Sequence, residues 1–287
     1  MPELPEVETV RAGLEKILLD LPLIKKVRLM RKDIRFVIPK ELPKLLEGQK
    51  VTSVRRRAKY LLIETERVIL LSHLGMTGSW RIVLDEEDAD ASTIADGVMV
   101  GTDKHDHCYV EFENGKRLAF RDPRRFGILD IIKPGQEAKH PRLKDLGVEP
   151  LDPKLWTAEF LFQASRKRKV PVKVFIMDQR IVVGIGNIYA SESLFFAGVR
   201  PQKLAGKLTQ KECGRIVESS RTVLEKAIIA GGSSIRDYRG AGGESGSAQS
   251  LHHVYDRAGQ PCFICGKPIR SKVMGGRSTY WCSHCQK

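Results

Sequence analysis

Over residues 6–21 the apolar positions Val7, Val10, Leu14, Ile17, Leu18 and Leu21 recur three or four apart, which predicts an amphipathic helix with one face laid on a sheet. Downstream, segments 27–31, 35–38, 51–57, 59–65, 68–74, 79–84, 108–114, 116–120 and 127–132 are short and rich in Val, Ile, Leu or aromatic residues, and turn-forming or charged residues bound them. Many short strands after one helix predict a β-sandwich or barrel-like N-terminal domain over 1–132. The lack of helices between them excludes a doubly wound parallel sheet. One interruption, 85–96, carries six acidic residues and no basic one, and reads as an exposed inserted loop directed away from any polyanion. Residues 133–153, dense in Pro, Gly and charge, read as a linker. Helical patterns then occupy 155–167, 187–198 and 209–232. The last opens on Thr209 with Glu212 three positions on, a capping box, and closes at Gly231-Gly232. The Gly/Ser-rich stretch to residue 250 is a flexible connector or a mobile ligand-covering segment. A helical domain over 154–250 and a terminal module over 251–287 complete a multidomain α+β organisation.

Composition narrows the partners. Of 287 residues, 49 are Lys or Arg and 35 Asp or Glu, a formal net charge of +14. That surplus suits a polyanion such as nucleic acid, and basic charge alone also fits a highly soluble protein or a lipid-touching surface. A hydrophobic fraction of 41% with clear periodicity excludes a disordered chain. No apolar run reaches the roughly 18 residues of a spanning helix, and Glu3, Glu6 and Glu8 exclude a secretory signal, so the expected address is cytoplasmic. Four of six cysteines form C-x2-C-x16-C-x2-C: Cys262, Cys265, Cys282 and Cys285. Each pair converges two thiolates on one ion and the interval suits a hairpin, so one tetrahedral structural Zn2+ is expected in preference to two disulfides. Cys108 and Cys213 read as ordinary buried thiols.

Three clusters offer phosphate donors: RRRAK at 55–59, RDPRRFG at 121–127 and RKRK at 166–169, the last equally a solvated face. In RDPRRFG, Asp122-Pro123 favours a turn that projects two arginines, and Phe126 either packs inward or forms a wedge among cations. Met76, between Gly75 and Gly78, is either core filler or an apolar probe on a turn. In GIGNIYASE, residues 184–192, glycines free backbone N–H groups ahead of a helix and Asn187 serves as cap and phosphate donor.

Taken in order, PELPEVET, LSHLGMTG, KHDH, DPRRFG, GIGNIYASE and GGRSTYWCSHCQK resemble the bacterial formamidopyrimidine-DNA glycosylase family over essentially the whole chain. The resemblance implies a β-sandwich flanked by helices, a helix–two-turn–helix domain and a zinc-finger hairpin, with DNA across the cleft between them. It implies a monomeric bacterial enzyme, nucleoid-associated in action, that excises oxidised purines (8-oxoguanine, formamidopyrimidines) from double-stranded DNA and cleaves the abasic site. The nucleophile it assigns is the amine of Pro2, exposed by removal of Met1; a free terminal amine attacks carbon, whereas an internal proline nitrogen is inert. Glu3 is the proton donor and Glu6 orients groups about the amine or simply supports the helix start. Lys59 contacts phosphate or donates a proton in β-elimination, and Arg277 does so in δ-elimination. His73, Asn187 and Arg277 clamp the backbone of the extruded nucleotide. Met76, Arg124 and Phe126 enter the duplex, Met76 filling the vacated space, Arg124 bonding the orphaned cytosine and Phe126 wedging beside it. That trio sets the chain apart from endonuclease VIII-like relatives, which act on oxidised pyrimidines; a non-enzymatic zinc-finger DNA-binding protein is the competing class. Three positions depart from the family pattern. Ala58 stands where glycine is common, Arg121 where asparagine is common, and Ser247-Ala248 where an aromatic often precedes the glutamine of a lesion-binding loop expected in 233–250.

Overall fold

The computed structural model describes residues 1–84, 99–100, 103–232 and 247–287. The acidic 85–96 loop and most of the 233–250 loop lie outside them. The chain divides into two compact units, one of residues 1–144 with 231–247, the other of 145–230 with 248–287. The division falls inside the Pro/Gly-rich stretch 133–153.

In the first unit, α1 (Leu4–Leu18) begins two residues earlier than its apolar period suggests. The Glu3 N–H donates to Glu6 Oε2 at 2.8 Å, half of a capping box that satisfies an otherwise orphaned donor. Pro5 sits in the first turn, where its missing N–H costs nothing. The strands are β1 (Ile24–Leu29), β2 (Ser53–Arg57), β3 (Tyr60–Glu64), β4 (Ile69–His73), β5 (Ser79–Leu84), β6 (Met99–Val100), β7 (Asp106–Phe112), β8 (Arg117–Arg121) and β9 (Ile128–Ile132), with a short α2 (Leu42–Leu46). They form a five-stranded sheet, β1-β7-β8-β5-β6, and a four-stranded sheet, β2-β3-β4-β9, antiparallel throughout except for the two-residue β5–β6 pair. Val54, Leu61, Ile63, Leu70 and Leu129 of one sheet and Trp80, Val110, Phe112, Leu118 and Phe120 of the other share one core with Val7, Val10, Leu14 and Leu18 of α1. Buried Trp80 donates from Nε1 across the sandwich to Ser72 Oγ at 2.9 Å.

One expected strand is absent. Residues 35–38 lie in a tight loop in which Ile34 and Ile38 are buried while Phe36 and Val37 face out. The guanidinium of Arg142 stacks over the Phe36 ring at 4.2 Å, which accounts for an aromatic outside the core.

The second unit contains α3 (Ala158–Ser165), α4 (Val172–Ile176), α5 (Asn187–Phe196) and α6 (Gln210–Ile229), then the hairpin β10 (Arg270–Met274) and β11 (Arg277–Trp281). The Thr209–Glu212 capping box opens α6 as its sequence predicts, and Gly231 and Gly232 follow it in left-handed conformation. Glu192 of α5 is buried and accepts the N–H groups of His253, Val254 and Tyr255, which ties the helical part to the C-terminal module. Gln286 does the same, accepting from the Cys282 N–H and donating to the Val199 carbonyl, each at 2.9 Å. Among the described residues no helix is long and apolar enough to cross a membrane.

Candidate active site and nucleic-acid interface

In the first unit, the capping geometry at α1 buries Pro2, Glu3 and Glu6, leaving Met1 40% exposed. Met1 lines an open cavity of about 550 Å³ together with Arg35, Gly75, Met76, Arg124 and Phe126. The head of the chain and the three expected wedge residues therefore share one cavity. Glu6 also lies against Gly232, where a Cβ would come within 3.2 Å of the Glu6 Cα.

Lys59 is buried on the turn between β2 and β3, whose strands pair up to Arg57↔Tyr60. The residue before it, Ala58, holds φ 56, a left-handed value natural to glycine. The neighbouring cations are only partly available: Arg55 pairs with Glu64 and Glu137, and Arg56 with Glu8 at 2.8 Å. The 55–57 run is thus committed largely to ion pairs of the fold, and Lys59 is the member placed at the turn.

His73, at the end of β4, accepts the Gly75 N–H at Nδ1, 2.9 Å, and meets the Tyr60 ring edge-on at 4.9 Å. Burial first, then the nearby charges of Lys59, Arg35 and Arg142, push its pKa down to about 4. The imidazole is therefore neutral at physiological pH, and because Nδ1 is the acceptor, Nε2 carries the proton. Such a ring donates a hydrogen bond to an anion without contributing charge.

Phe126 is 44% exposed, so it does not pack inward, and Arg124 stacks on its ring at 5.0 Å. The turn between them puts Arg125 at φ 57. Gly75, at φ 61, allows the Met76 turn to approach: a Cβ there would lie 2.3 Å from the Phe126 carbonyl carbon.

In the second unit, Gly186 is the N-cap of α5 and Asn187 is its first residue, so Asn187 is not the cap its sequence suggests. Its Oδ1 instead accepts from Lys173 Nζ at 2.6 Å. That lysine, 1% exposed, also donates to the Ser278 carbonyl at 3.1 Å and Thr279 Oγ1 at 2.7 Å. Lys173 joins Asn187 to the strand that begins at Arg277, a role with no local sequence signal. The hairpin turn Gly275-Gly276 has two positive φ values, the two-residue type suited to strand twist, and presents an exposed Arg277. Arg277 lines a cavity of about 430 Å³ with Arg168, Phe175 and Arg180. Arg166, from the same basic run, is spent on the Phe162 and Leu208 carbonyls.

The thiols of Cys262, Cys265, Cys282 and Cys285 all lie within 4.8 Å of one another, with Cys262–Cys285 at 3.9 Å and Cys265–Cys282 at 3.4 Å. Sulfurs at the corners of a tetrahedron with bonds of about 2.3 Å stand roughly 3.8 Å apart, so the set fits one structural metal ion and leaves no open coordination position. Cys108 and Cys213 are buried, and burial raises their thiols to about 12 and about 11, consistent with inert core groups.

Comparison with known proteins agrees with this geometry. Residues 1–129 match the formamidopyrimidine-DNA glycosylase N-terminal domain, 146–239 the formamidopyrimidine-DNA glycosylase H2TH domain, and 259–287 a zinc finger found in FPG and IleRS. The chain is 48% identical over 287 residues to the formamidopyrimidine-DNA glycosylase of Bdellovibrio bacteriovorus and 43% identical to that of Thioalkalivibrio sulfidiphilus, covering all of both chains in each case. It resembles the solved Lactococcus lactis Fpg in complex with DNA containing an abasic site (TM-score 0.87, 32% identity, 99% of each chain covered). It also resembles MutM (Fpg) from Thermus thermophilus (TM-score 0.84, 36% identity, 99% of this chain and 98% of that one). A sandwich with its chain head beside an open cavity lined by Met76, Arg124 and Phe126, an H2TH-type helical unit and a four-cysteine hairpin, matched over the full length, place this chain in the formamidopyrimidine-DNA glycosylase family.

Proposed function

We propose that the chain is a bifunctional DNA glycosylase and abasic-site lyase that removes oxidised purines from double-stranded DNA, using the Pro2 amine as nucleophile. The observation that carries this reading is the cavity shared by Met1, Met76, Arg124 and Phe126, because the terminal amine must meet a sugar carbon that becomes accessible only once the nucleotide leaves the stack. Removal of Met1 frees a secondary amine whose lone pair attacks C1′. The glycosidic bond breaks toward the base, and the sugar opens to an iminium. Glu3, buried beside that amine, exchanges the protons that ring opening requires, and Glu6 holds the start of α1 through the Glu3 N–H. β-Elimination then expels the 3′ phosphate and δ-elimination the 5′ phosphate. Lys59 and neutral His73 hold phosphates on the first unit, Asn187 and Arg277 on the second; the alternative role for Lys59 is proton donor in β-elimination and for Arg277 proton donor in δ-elimination. The four cysteines hold one structural Zn2+. Double-stranded DNA containing oxidised purines is the expected partner, with no obligate protein partner.

Borohydride trapping tests the nucleophile. Chain beginning at Pro2 should cross-link to a duplex carrying 8-oxoguanine, whereas chain retaining Met1 should not. Excision by the Met1-blocked protein would refute the assignment. Faster single-turnover excision of thymine glycol than of 8-oxoguanine or a formamidopyrimidine would move the substrate to oxidised pyrimidines.

A further inference from the structure

Asp122 lies at the root of DPRRFG, fully buried, and its carboxylate joins two turns. Oδ1 accepts from Thr77 Oγ1 at 2.6 Å, and Oδ2 accepts from the Gly127 N–H at 2.6 Å. Thr77, the residue after Met76, accepts in turn from the Arg124 N–H at 3.2 Å. The Asp122 backbone is held from below by the KHDH segment: its N–H donates to the His105 carbonyl at 2.9 Å, and its carbonyl accepts from Nε2 of buried His107 at 2.8 Å. His107 thereby acquires a place in the fold that no reactive role explains.

We propose that Asp122 and Thr77 are positioning residues that fasten the Met76 turn to the Arg124–Phe126 turn, presetting the three side chains as one wedge before DNA arrives. The inference rests on the function proposed above, with those three side chains entering the duplex as the family resemblance implies. A carboxylate suits the post because it accepts on both oxygens at once, from a hydroxyl and an amide N–H. With no strand ladder joining the tips, these bonds and the close approach at Gly75 set their spacing.

Thr77→Val removes the hydroxyl at nearly constant volume, Thr77→Ser keeps it, and Asp122→Asn leaves one of the two acceptors. The reporters are the ratio of 8-oxoguanine excision opposite cytosine to that opposite adenine, and the fluorescence rise of 2-aminopurine placed beside the lesion. Cleavage of a preformed abasic site serves as the reference, with Arg124→Ala as benchmark. Thr77→Val should lower the ratio toward the benchmark and slow the fluorescence rise on the order of tenfold, as misplacement of a preorganised group does. It should cost abasic-site cleavage several-fold less, and Thr77→Ser should restore wild-type behaviour. Thr77→Val with the wild-type ratio and fluorescence rate would overturn the proposal, as would equal losses on both substrates, which mark general destabilisation. A wild-type protein that gives no fluorescence rise, with Arg124→Ala keeping the wild-type ratio, would instead sink the wedge reading on which the proposal stands.

Discussion

Arg124 in the first unit and Arg277 in the second are both exposed side chains on turns with left-handed backbone, yet they are held by different means. Arg124 stands on a turn footed by Asp122 and His107, over a core drawn from two sheets and a helix. Arg277 stands on a two-stranded hairpin whose adjoining apolar cluster consists of Phe195, Val254, Cys262, Ile269 and Cys282, two of them candidate metal ligands. A two-stranded ribbon is marginal by itself. Where apolar burial is plentiful, hydrogen bonds within and between the turns suffice to aim a side chain. Where it is scarce, a metal ion and a buried cation do the same work.

The largest expected effect separates the two. Structural zinc contributes an apparent 10–16 kcal/mol in small fingers, far beyond what so few buried side chains supply. Cys282→Ser, or chelation of the full chain, should abolish amide-exchange protection across Arg277–Trp281 and lower DNA affinity roughly 10- to 100-fold, the worth of the arginine–phosphate contact proposed for Arg277. Strands β2–β4, with their own core, should keep their protection. Loss of exchange protection in both regions together would erase the contrast.

Lys173→Met is next. It preserves much of the stem volume but withdraws the ammonium from Asn187 Oδ1, the Ser278 carbonyl and Thr279 Oγ1. Of these acceptors Thr279 is buried, Asn187 half-buried and Ser278 exposed, and an orphaned buried acceptor costs about 1–3 kcal/mol, so destabilisation of about 1–3 kcal/mol is expected in the second unit. Exchange at Arg277–Trp281 should accelerate while the metal stays bound. Unchanged exchange would show that the metal alone holds the hairpin.

On the first unit the anchoring is less costly to perturb, and His73 reports it through pH. Its pKa of about 4 in the fold lies below the ordinary 6.5, so between those values the unfolded chain binds a proton that the folded chain refuses. Its contribution to stability is complete above about pH 6.5 and is lost as the pH falls through 4. Between pH 7.5 and 5 the wild type should therefore lose more stability than His73→Ala, and the His73 ring should remain neutral by NMR to below pH 5. A titration midpoint near 6.5 would show an open, solvated ring.

What the sequence disclosed follows the same division. Periodicity and caps located α1, α3, α5, α6 and eight of the nine expected strands, and the cysteine spacing marked the metal site, because each of these signals is local. The strand expected at 35–38 failed because alternation cannot distinguish a pleat from a loop whose outward aromatic is covered by arginine. Asn187 was displaced from its expected cap because Gly186 occupies that position and Lys173 claims the amide oxygen. Lys173 reaches partners 14, 105 and 106 residues away and Asp122 reaches Thr77 45 residues away, and no local pattern encodes these long-range bonds.

The smallest effect concerns Ala58, where the family commonly has glycine. A left-handed φ of 56 strains an L-residue by roughly 1–2 kcal/mol. Replacement by glycine would relieve that strain, but it would also remove a buried methyl worth about 0.8 kcal/mol and add about 0.5–1 kcal/mol of freedom to the unfolded chain. These terms nearly cancel, so Ala58→Gly should change stability by no more than about 1 kcal/mol and leave borohydride trapping through Pro2 within about twofold of wild type. The cancellation explains how alanine persists at a glycine position without disturbing the lysine beside it. Destabilisation above about 2 kcal/mol in a urea titration would show that the methyl packs as a core group and that the turn relies on apolar burial more than on backbone geometry.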